Sequence, residues 1–469
     1  EHLLMNLYIN SRTIPADLQT PVAVYLRLRD LYPESALLES SDYHTTQNAK
    51  SYVGIEPMAS FRVDAGGVVS MKFPDGTVES VDNAPGSMVV DALRSFVGRI
   101  NIAGGTSPGL LGFTAYDAVK YFEKVAISPR EERFASVPDM YYILFRYIIC
   151  FDHYKNHITI VEHLDSEDTP SAIDDIVAML HDNNLPQFPF HAVDEPRASV
   201  SDDDYCRMVE QGIAHARRGD VFQVVLSRRF EQHYIGDDFN VYRALRCVNP
   251  SPYLFYFDFG DFRIFGSSPE THLRVQNGIA YIDPIAGTFR RTGDDVRDRE
   301  LADTLLEDEK ENAEHIMLVD LARNDLSRGG GHVEIDFLRQ IRYYSHVIHM
   351  VSRVKATLPD LADVFSLFAG TFPAGTLSGA PKVRAMEIID TLEPHSRVVY
   401  GGCIGQIGFD GSLNQAIVIR SFLSMDGTLY SQAGAGIVAR SMPRNELQET
   451  ENKLGALAAA VKYAESFNN

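Results

Sequence analysis

Residues 307–325 read EDEKENAEHIMLVDLARND, with five carboxylates between positions 307 and 314 ahead of an apolar run. This pattern predicts a helix, on which residues three and four positions apart share a face. Glu307, Glu311 and Glu314 would then stack on one side, with His315 beside them. Because like charges on one face repel, lysines, solvent or a bound cation must compensate them. This stretch alone does not decide among the three.

A second acidic pair lies in PRNELQETENKLGAL (443–457). Glu446, Glu449 and Lys453 fall on one helical face, and Pro443 suits a first turn. Two helices therefore each offer a Glu-x-x-Glu pair. Facing pairs suit Mg²⁺, which prefers oxygen ligands and often takes only one or two carboxylates. The alternative is two solvated faces on an acidic protein.

The composition, 45% hydrophobic and 23% charged residues, is that of a globular protein. The length of 469 residues is enough for two or three domain-sized units. The net charge of −21 argues against nucleic-acid and membrane partners. The four cysteines are far apart, without a CxxC pair. No apolar run approaches the ~20 residues of a membrane span, and the first residues do not resemble a signal peptide. We therefore expect a cytoplasmic protein.

The order of elements predicts an α+β fold rather than a doubly wound sheet, because helices alternate irregularly with antiparallel-looking strands. We divide the chain into an N-terminal region (1–185), a proline-containing linker (186–200) and a core (201–469). The spacing predicts helices over 21–32, 202–218, 300–325 and 443–466, and a strand meander over 403–439.

Three single residues and one glycine-rich segment are candidates for binding or catalysis. Arg420 could clamp a carboxylate, or lie at an edge in water. His349 could titrate in a pocket, or be a satisfied core histidine. Glu270, after a strand and a proline, could be a general acid or a surface residue. The segment SQAGAGIVARS (431–441) could bring backbone N–H groups close to an anion, or be an ordinary turn.

Ten segments, in order, resemble the chorismate-utilising enzymes, and most closely their anthranilate-forming branch. They are VFQVVLSRRF, SSPETHL, PIAGTFRR, KENAEHIMLVDLARNDL, VIHMVSRV, GTLSGAPKVRAMEIID, YGGCIGQIGFDG, AIVIRS, AGAGIVA and ETENKL. LLESSD (37–42) and NPSPYLFY (249–256) extend the likeness to the tryptophan-regulated members. The resemblance implies two packed, mainly antiparallel sheets flanked by helices, with the N-terminal region regulatory.

The resemblance also assigns the acidic pairs. Glu314 and Glu449 would hold Mg²⁺, with Glu311 and Glu446 acting directly or through bound waters. The metal would chelate the ring carboxylate of chorismate, and Lys453 would lie close to both.

Further roles follow from the same resemblance. Arg420 and Tyr400 would hold the enolpyruvyl carboxylate, helped by backbone N–H groups around Gly434 and Gly436. Thr288 and Thr376 would line the pocket. Glu270 would protonate the departing ring hydroxyl, and His349 would assist the later loss of pyruvate.

Two positions separate the branches of this family. Isochorismate-forming members carry a lysine base where this chain has Gln223, and aminodeoxychorismate-forming members typically carry a nucleophilic lysine where it has Ala286. With neither lysine, the route implied is direct attack of ammonia on the ring, giving anthranilate and pyruvate. The chain lacks the Cys-His-Glu signature of a glutaminase, so a separate glutamine amidotransferase subunit is implied as partner.

A tryptophan feedback site is implied at the LLESSD segment. Its residues would be Glu39, Ser40, Pro252, Tyr253 and Leu254, with Lys50 a possible contributor. Two rival functions remain open: an aminodeoxychorismate synthase, and a tryptophan-sensing subunit without catalysis.

Overall fold

The computed structural model describes residues 4–40, 49–82, 86–344, 347–359 and 363–468, without the side chains of Ser87, Thr288 and Lys310. The elements of the N-terminal region, in chain order, are β1 (Met5–Pro15), α1 (Pro21–Leu28), β2 (Ser35–Ser40), β3 (Lys50–Val63), β4 (Val69–Lys72), β5 (Val78–Val81), α2 (Gly86–Gly98), β6 (Ile100–Ala103), β7 (Leu110–Thr114), β8 (Met140–Asp152), β9 (His157–Leu164) and α3 (Ile173–Leu180).

The remainder of the chain continues the series. Its elements are β10 (Phe190–Ala192), β11 (Arg197–Ala198), α4 (Asp202–Arg218), β12 (Gln223–Gly236), α5 (Phe239–Val248), β13 (Tyr253–Asp258), β14 (Phe262–Ser268), β15 (Thr271–Gln276), β16 (Ile279–Ile282), β17 (Ile285–Arg290), α6 (Asp295–Glu307), α7 (Glu309–Ser327), β18 (His332–Tyr343), β19 (Val347–Thr357), α8 (Val364–Thr371), β20 (Gly379–Ala380), α9 (Lys382–Leu392), β21 (Cys403–Ile407), β22 (Leu413–Ile417), β23 (Ser421–Met425), β24 (Thr428–Ile437) and α10 (Pro443–Ala464).

The strands form two sheets that share the long pair β3 and β8. The first sheet has the order β6-β1-β9-β8-β3-β2-β13-β14-β23-β24-β12, with β10, β11 and β20 beyond β12. The second has the order β5-β4-β3-β8-β7-β21-β22-β15-β16-β19-β18, with β17 in line with β16. Among the described strands the β1–β6 pair is parallel, and the other pairs are antiparallel.

The two sheets pack face to face, and helices cover their outer surfaces. Along β13, Phe255 and Phe257 face β7 and β21 of the second sheet, whereas Leu254 and Tyr256 face α1, α5 and α10. This alternation follows from the two-residue period of a strand. Helices α2, α7 and α8 cover the second sheet, whereas α4 and α9 pack on the end of the first sheet formed by β12 and β24. The α+β prediction is confirmed.

The predicted helix 202–218 is confirmed as α4. Ser201 caps this helix, because its side-chain oxygen accepts a hydrogen bond of 3.1 Å from the Asp204 N–H. The helix ends at Gly219, whose φ of 82° is left-handed.

The continuous helix predicted over 300–325 is wrong. Asp308 has an extended backbone, ends α6 and caps α7 by accepting a hydrogen bond from the Glu311 N–H at 2.9 Å. Glu307 therefore belongs to the preceding helix and does not share a helical face with Glu311 and Glu314. An N-cap requires non-helical dihedral angles, which breaks the periodicity.

The predicted linker takes part in the first sheet, because β10 and β11 pair with β12. Strands of the N-terminal region also pair with strands of the core, β2 with β13 and β7 with β21. None of the described helices is long and apolar enough to cross a membrane.

Candidate active site

One large cleft collects the residues predicted for metal binding, substrate binding and catalysis. It has a volume of about 1950 Å³, more than a single small substrate fills. Its lining includes Gln223, Glu270, Glu311, Glu314, His349, Thr376, Tyr400, Arg420, Gly434, Gly436, Glu446, Glu449 and Lys453. Thr288 pairs with His349 through its backbone, but its side chain lies outside the described part of the structure.

Glu270 lies between β14 and β15, where Pro269 ends the ladder. Thr376 donates a hydrogen bond of 2.8 Å to Glu270 Oε1. Burial raises the pKa of the Glu270 carboxyl group to about 7, against the opposing influence of Thr376, Lys453 and Arg420. The carboxyl group can therefore hold a proton near neutral pH and release it to a substrate.

Arg420 occupies the turn between β22 and β23 with a φ of 50°, a strained conformation for a residue with a side chain. Its carbonyl oxygen accepts a hydrogen bond from the Ser267 N–H at 3.2 Å, and the Glu270 carbonyl oxygen accepts one from Ile417 N–H at 3.0 Å. These two backbone hydrogen bonds hold the turn that carries Arg420 next to the turn that carries Glu270. Burial lowers the pKa of Arg420, yet a guanidinium remains charged at neutral pH.

The glycines of β24 let three side chains approach its backbone. A Cβ on Gly436 would lie 2.1 Å from Gln223 Nε2, and one on Gly434 would lie 3.2 Å from the Tyr400 hydroxyl. Lys453 Nζ donates a hydrogen bond of 2.8 Å to the Gly434 carbonyl oxygen. A side chain at either glycine would displace part of the cleft wall.

Gln223 presents a further polar atom to the cleft. The residue is 4% exposed, and its Oε1 has no hydrogen-bond partner among the described residues. A buried amide oxygen of this kind is an acceptor available to a ligand.

The two acidic pairs reach the cleft from α7 and α10. Glu446 is buried, and Glu449 forms an ion pair of 2.8 Å with Lys453. Within the described residues no three acidic, His or Cys side chains are grouped closely enough to hold a metal ion. The donor set nevertheless fits Mg²⁺, because this ion accepts one or two protein carboxylates and completes its shell with water and substrate oxygens.

His349, on β19, is 2% exposed and also lines the cleft. Its Nδ1 lies 3.1 Å from the Gly287 carbonyl oxygen, which favours a proton on that nitrogen. Burial lowers the pKa of His349 to about 4, so the imidazole is neutral at pH 7. It can accept a proton but does not supply a positive charge.

A second cavity has a volume of about 130 Å³. It is lined by all six residues predicted to bind tryptophan: Glu39, Ser40, Lys50, Pro252, Tyr253 and Leu254. Of the LLESSD segment, residues 41 and 42 lie outside the described residues. The Glu39 carboxylate accepts hydrogen bonds from Tyr242 at 2.6 Å and Arg246 at 2.9 Å. Any ammonium group that binds Glu39 must therefore share it with Arg246.

The sequence did not reveal a buried network that supports Tyr400. Arg397 pairs with Glu393 at 2.6 Å, donates to the Val225 and Leu377 carbonyl oxygens and stacks over the Tyr400 ring at 5.6 Å. The i, i+4 spacing of Glu393 and Arg397, just before Tyr400, is the sequence feature that could have indicated this network.

Several known proteins are similar to this chain over most of its length. A family model described as chorismate binding enzyme matches residues 34–459. Anthranilate synthase component 1 of Thermus thermophilus is 37% identical, with 97% of this chain and 98% of that protein covered. The same component of Pseudomonas putida is 38% identical over 96% and 94% of the two chains. The crystal structure of anthranilate synthase component I from Streptococcus pneumoniae superposes with a TM-score of 0.77 at 32% identity, covering 96% of this chain and all of that one.

Proposed function

The chain belongs to the chorismate-binding enzymes, and from this premise we propose that it is an anthranilate synthase component I. It would convert chorismate and ammonia to anthranilate, pyruvate and water. The observation that carries the choice among related reactions is that Gln223 and Ala286, which line the cleft, are both neutral. Neither can act as the general base or the amine nucleophile that the neutral amine of a lysine would supply.

Glu270 supplies the proton for the first step. As ammonia forms a C–N bond at ring carbon 2, the ring C–O bond breaks and the hydroxyl leaves as water with the proton from Glu270. The pKa of about 7 keeps this proton in place at neutral pH. Loss of a ring proton and of the enolpyruvyl group as pyruvate then gives the aromatic product, and neutral His349 is placed to accept a proton in that step.

The cations of the cleft recognise the two carboxylates of chorismate. Arg420 and the Tyr400 hydroxyl bind the enolpyruvyl carboxylate, since a guanidinium can hold it with two hydrogen bonds. Glu311, Glu314, Glu446 and Glu449 would hold Mg²⁺. The ion, when bound, neutralises the ring carboxylate, which the acidic walls would otherwise repel. Lys453 contributes a second positive charge there.

Ammonia must arrive uncharged, because ammonium is not a nucleophile. Gln223 Oε1, which has no hydrogen-bond partner among the described residues, can accept a hydrogen bond from an ammonia N–H and so orient the ammonia lone pair. A separate glutamine amidotransferase subunit would release ammonia next to the cleft. The second cavity would bind tryptophan and lower turnover when the end product accumulates.

The test is an end-point assay of the isolated chain with chorismate, Mg²⁺ and an ammonium salt at high pH, followed by chromatography of the products. We expect anthranilate and pyruvate as products. Adding EDTA should abolish their formation, and adding tryptophan should lower the amount formed. Aminodeoxychorismate or isochorismate as the product would contradict the assignment drawn from Ala286 or Gln223. Glu314→Gln should abolish turnover, whereas a tryptophan sensor without catalysis would show no product with either chain.

A further inference from the structure

A small cavity adjoins the cleft at Glu270. It has a volume of about 30 Å³ and shares Glu270, Leu318 and Thr376 with the cleft. Its other polar lining residues are Thr271, His272, Asp325 and Thr371. One water molecule requires about 10–15 Å³ and two to four polar partners, so the cavity has the size and chemistry of a hydration site.

Asp325, which lines this cavity, belongs to a buried ion pair that the proposed reaction does not use. Lys382 Nζ donates hydrogen bonds of 2.8 Å to Asp325 Oδ2 and to the Thr371 carbonyl oxygen. The two side chains are 5% and 6% exposed. Asp325 Oδ1, however, has no hydrogen-bond partner among the described residues. A carboxylate oxygen that is removed from bulk water needs a donor, and a bound water supplies one.

We propose that this cavity holds a water molecule that donates one hydrogen bond to Asp325 Oδ1 and the other to the Glu270 carboxyl group. The ion pair then serves to anchor the water. Glu270 therefore lies between the substrate cleft, which Arg420 and Lys453 also line, and the cavity, which Asp325 and His272 also line.

The water affects the acidity of Glu270. A hydrogen bond donated to an ionised carboxylate stabilises the charged form and lowers its pKa. Burial lowers the pKa of His272 to about 3, so His272 is neutral and does not compete as a cation. Removing the water should therefore raise the pKa of Glu270. The presence of the water is independent of the proposed function, but its effect on turnover rests on it.

Matched substitutions at Ala322 separate the water from other effects. Ala322 lies on α7, is 4% exposed and lines the cavity. Ala322→Val fills the space with two methyl groups, whereas Ala322→Ser leaves most of it and adds a polar group. Ala374→Val fills the cavity from another segment of its wall and replaces the first variant if that one does not fold.

Two measurements on the full chain without substrate decide the matter. High-resolution crystal structures should show water density within ~3 Å of Asp325 Oδ1 in the native protein and Ala322→Ser, but not in Ala322→Val. Infrared titration of the Glu270 carboxyl band, assigned by its loss in Glu270→Gln, should give a pKa about one unit higher in Ala322→Val. Absence of density in the native protein, or an unchanged pKa once the cavity is filled, would overturn the proposal.

These readouts do not require turnover. A chain with the water and the shifted pKa but no anthranilate would retain this inference and lose the proposed function. Anthranilate formation by a chain with a dry cavity would give the reverse result.

Discussion

At the scale of single residues, the proposed chemistry depends on the surroundings of the Glu270 carboxyl group. Burial favours its neutral form, whereas Thr376, Lys453 and Arg420 favour its charged form, and burial prevails. The carboxyl group thus remains an acid in a cleft that also contains cations. The sequence placed Glu270 at a strand end but could not show its contact with Thr376, which lies 106 positions away.

Thr376→Val tests that hydrogen bond, because it removes the hydroxyl and keeps the side-chain volume. Its loss destabilises the ionised carboxylate and should raise the pKa of Glu270 by roughly half a unit to one unit. If Glu270 donates a proton, kcat/KM falls as pH rises through this pKa, and in the variant the fall should occur at higher pH. The measurement is kcat/KM against pH at constant free ammonia. Thr376→Ser should follow the native profile, and a Val profile that coincides with it would contradict the expectation.

Glu270→Gln tests the cost of ionising this group. Its pKa in the folded chain, about 7, lies above the ordinary value of 4.5. Between these two values the folded state holds a proton that the unfolded chain has lost, so this group makes the free energy of unfolding fall as pH rises. The Tm advantage of the variant over the native chain should therefore grow from pH 5 to pH 8. Its turnover should drop about 100-fold or more. A Tm difference that is constant with pH would refute this account.

At the scale of elements, helices α7 and α10 determine where the acidic pairs lie. Because the two glutamates of each pair are three positions apart, the sequence alone predicts that they share a helical face. The break at Asp308 was not predictable, because a capping aspartate within an acidic run looks like one more helical carboxylate. Strand β18 also escaped prediction: most of its residues are exposed, so its pattern lacks the alternation that marks a half-buried strand.

Asp308→Ala should loosen the first turn of α7, which carries Glu311. Loss of an N-cap costs about 1 kcal/mol, and we expect up to about a fivefold weaker affinity for Mg²⁺, the equivalent of that energy. Calorimetric titration with Mg²⁺ measures it. Asp294→Ala is the matched control, since Asp294 caps α6 by accepting from Val296 and Arg297. Equal losses of affinity in both variants would show that the effect is only general destabilisation.

At the scale of the whole molecule, the two sheets run through both the N-terminal region and the core. The sequence indicated the fold class through its elements and its resemblance. It did not show that β2 pairs with β13 and β7 with β21, because pairing between distant strands leaves no local pattern. The boundary predicted from prolines at 186–200 stays a prediction, and its strands β10 and β11 belong to the first sheet.

Thermal unfolding should accordingly show one cooperative transition in a calorimeter, with equal calorimetric and van't Hoff enthalpies. Residues 201–469 expressed alone should aggregate, because β13 and β21 would lose neighbours and expose strand edges. Two separate transitions in the full chain, or a soluble and folded core fragment, would contradict this expectation.

The short segment between β14 and β15 has a practical consequence for engineering. Pro269 lines both the large cleft and the 130 Å³ cavity, Glu270 lines the cleft, and Thr271 lines the cavity, where it shares a hydrogen bond of 2.6 Å with Tyr253. The two chambers are thus separated by the thickness of one backbone. If the 130 Å³ cavity binds tryptophan and Glu270 donates the proton, as we propose, substitutions in this segment that relieve tryptophan inhibition should also disturb the proton donor. Selection for overproduction should then favour changes around Glu39 and Ser40, which line the smaller cavity but not the cleft.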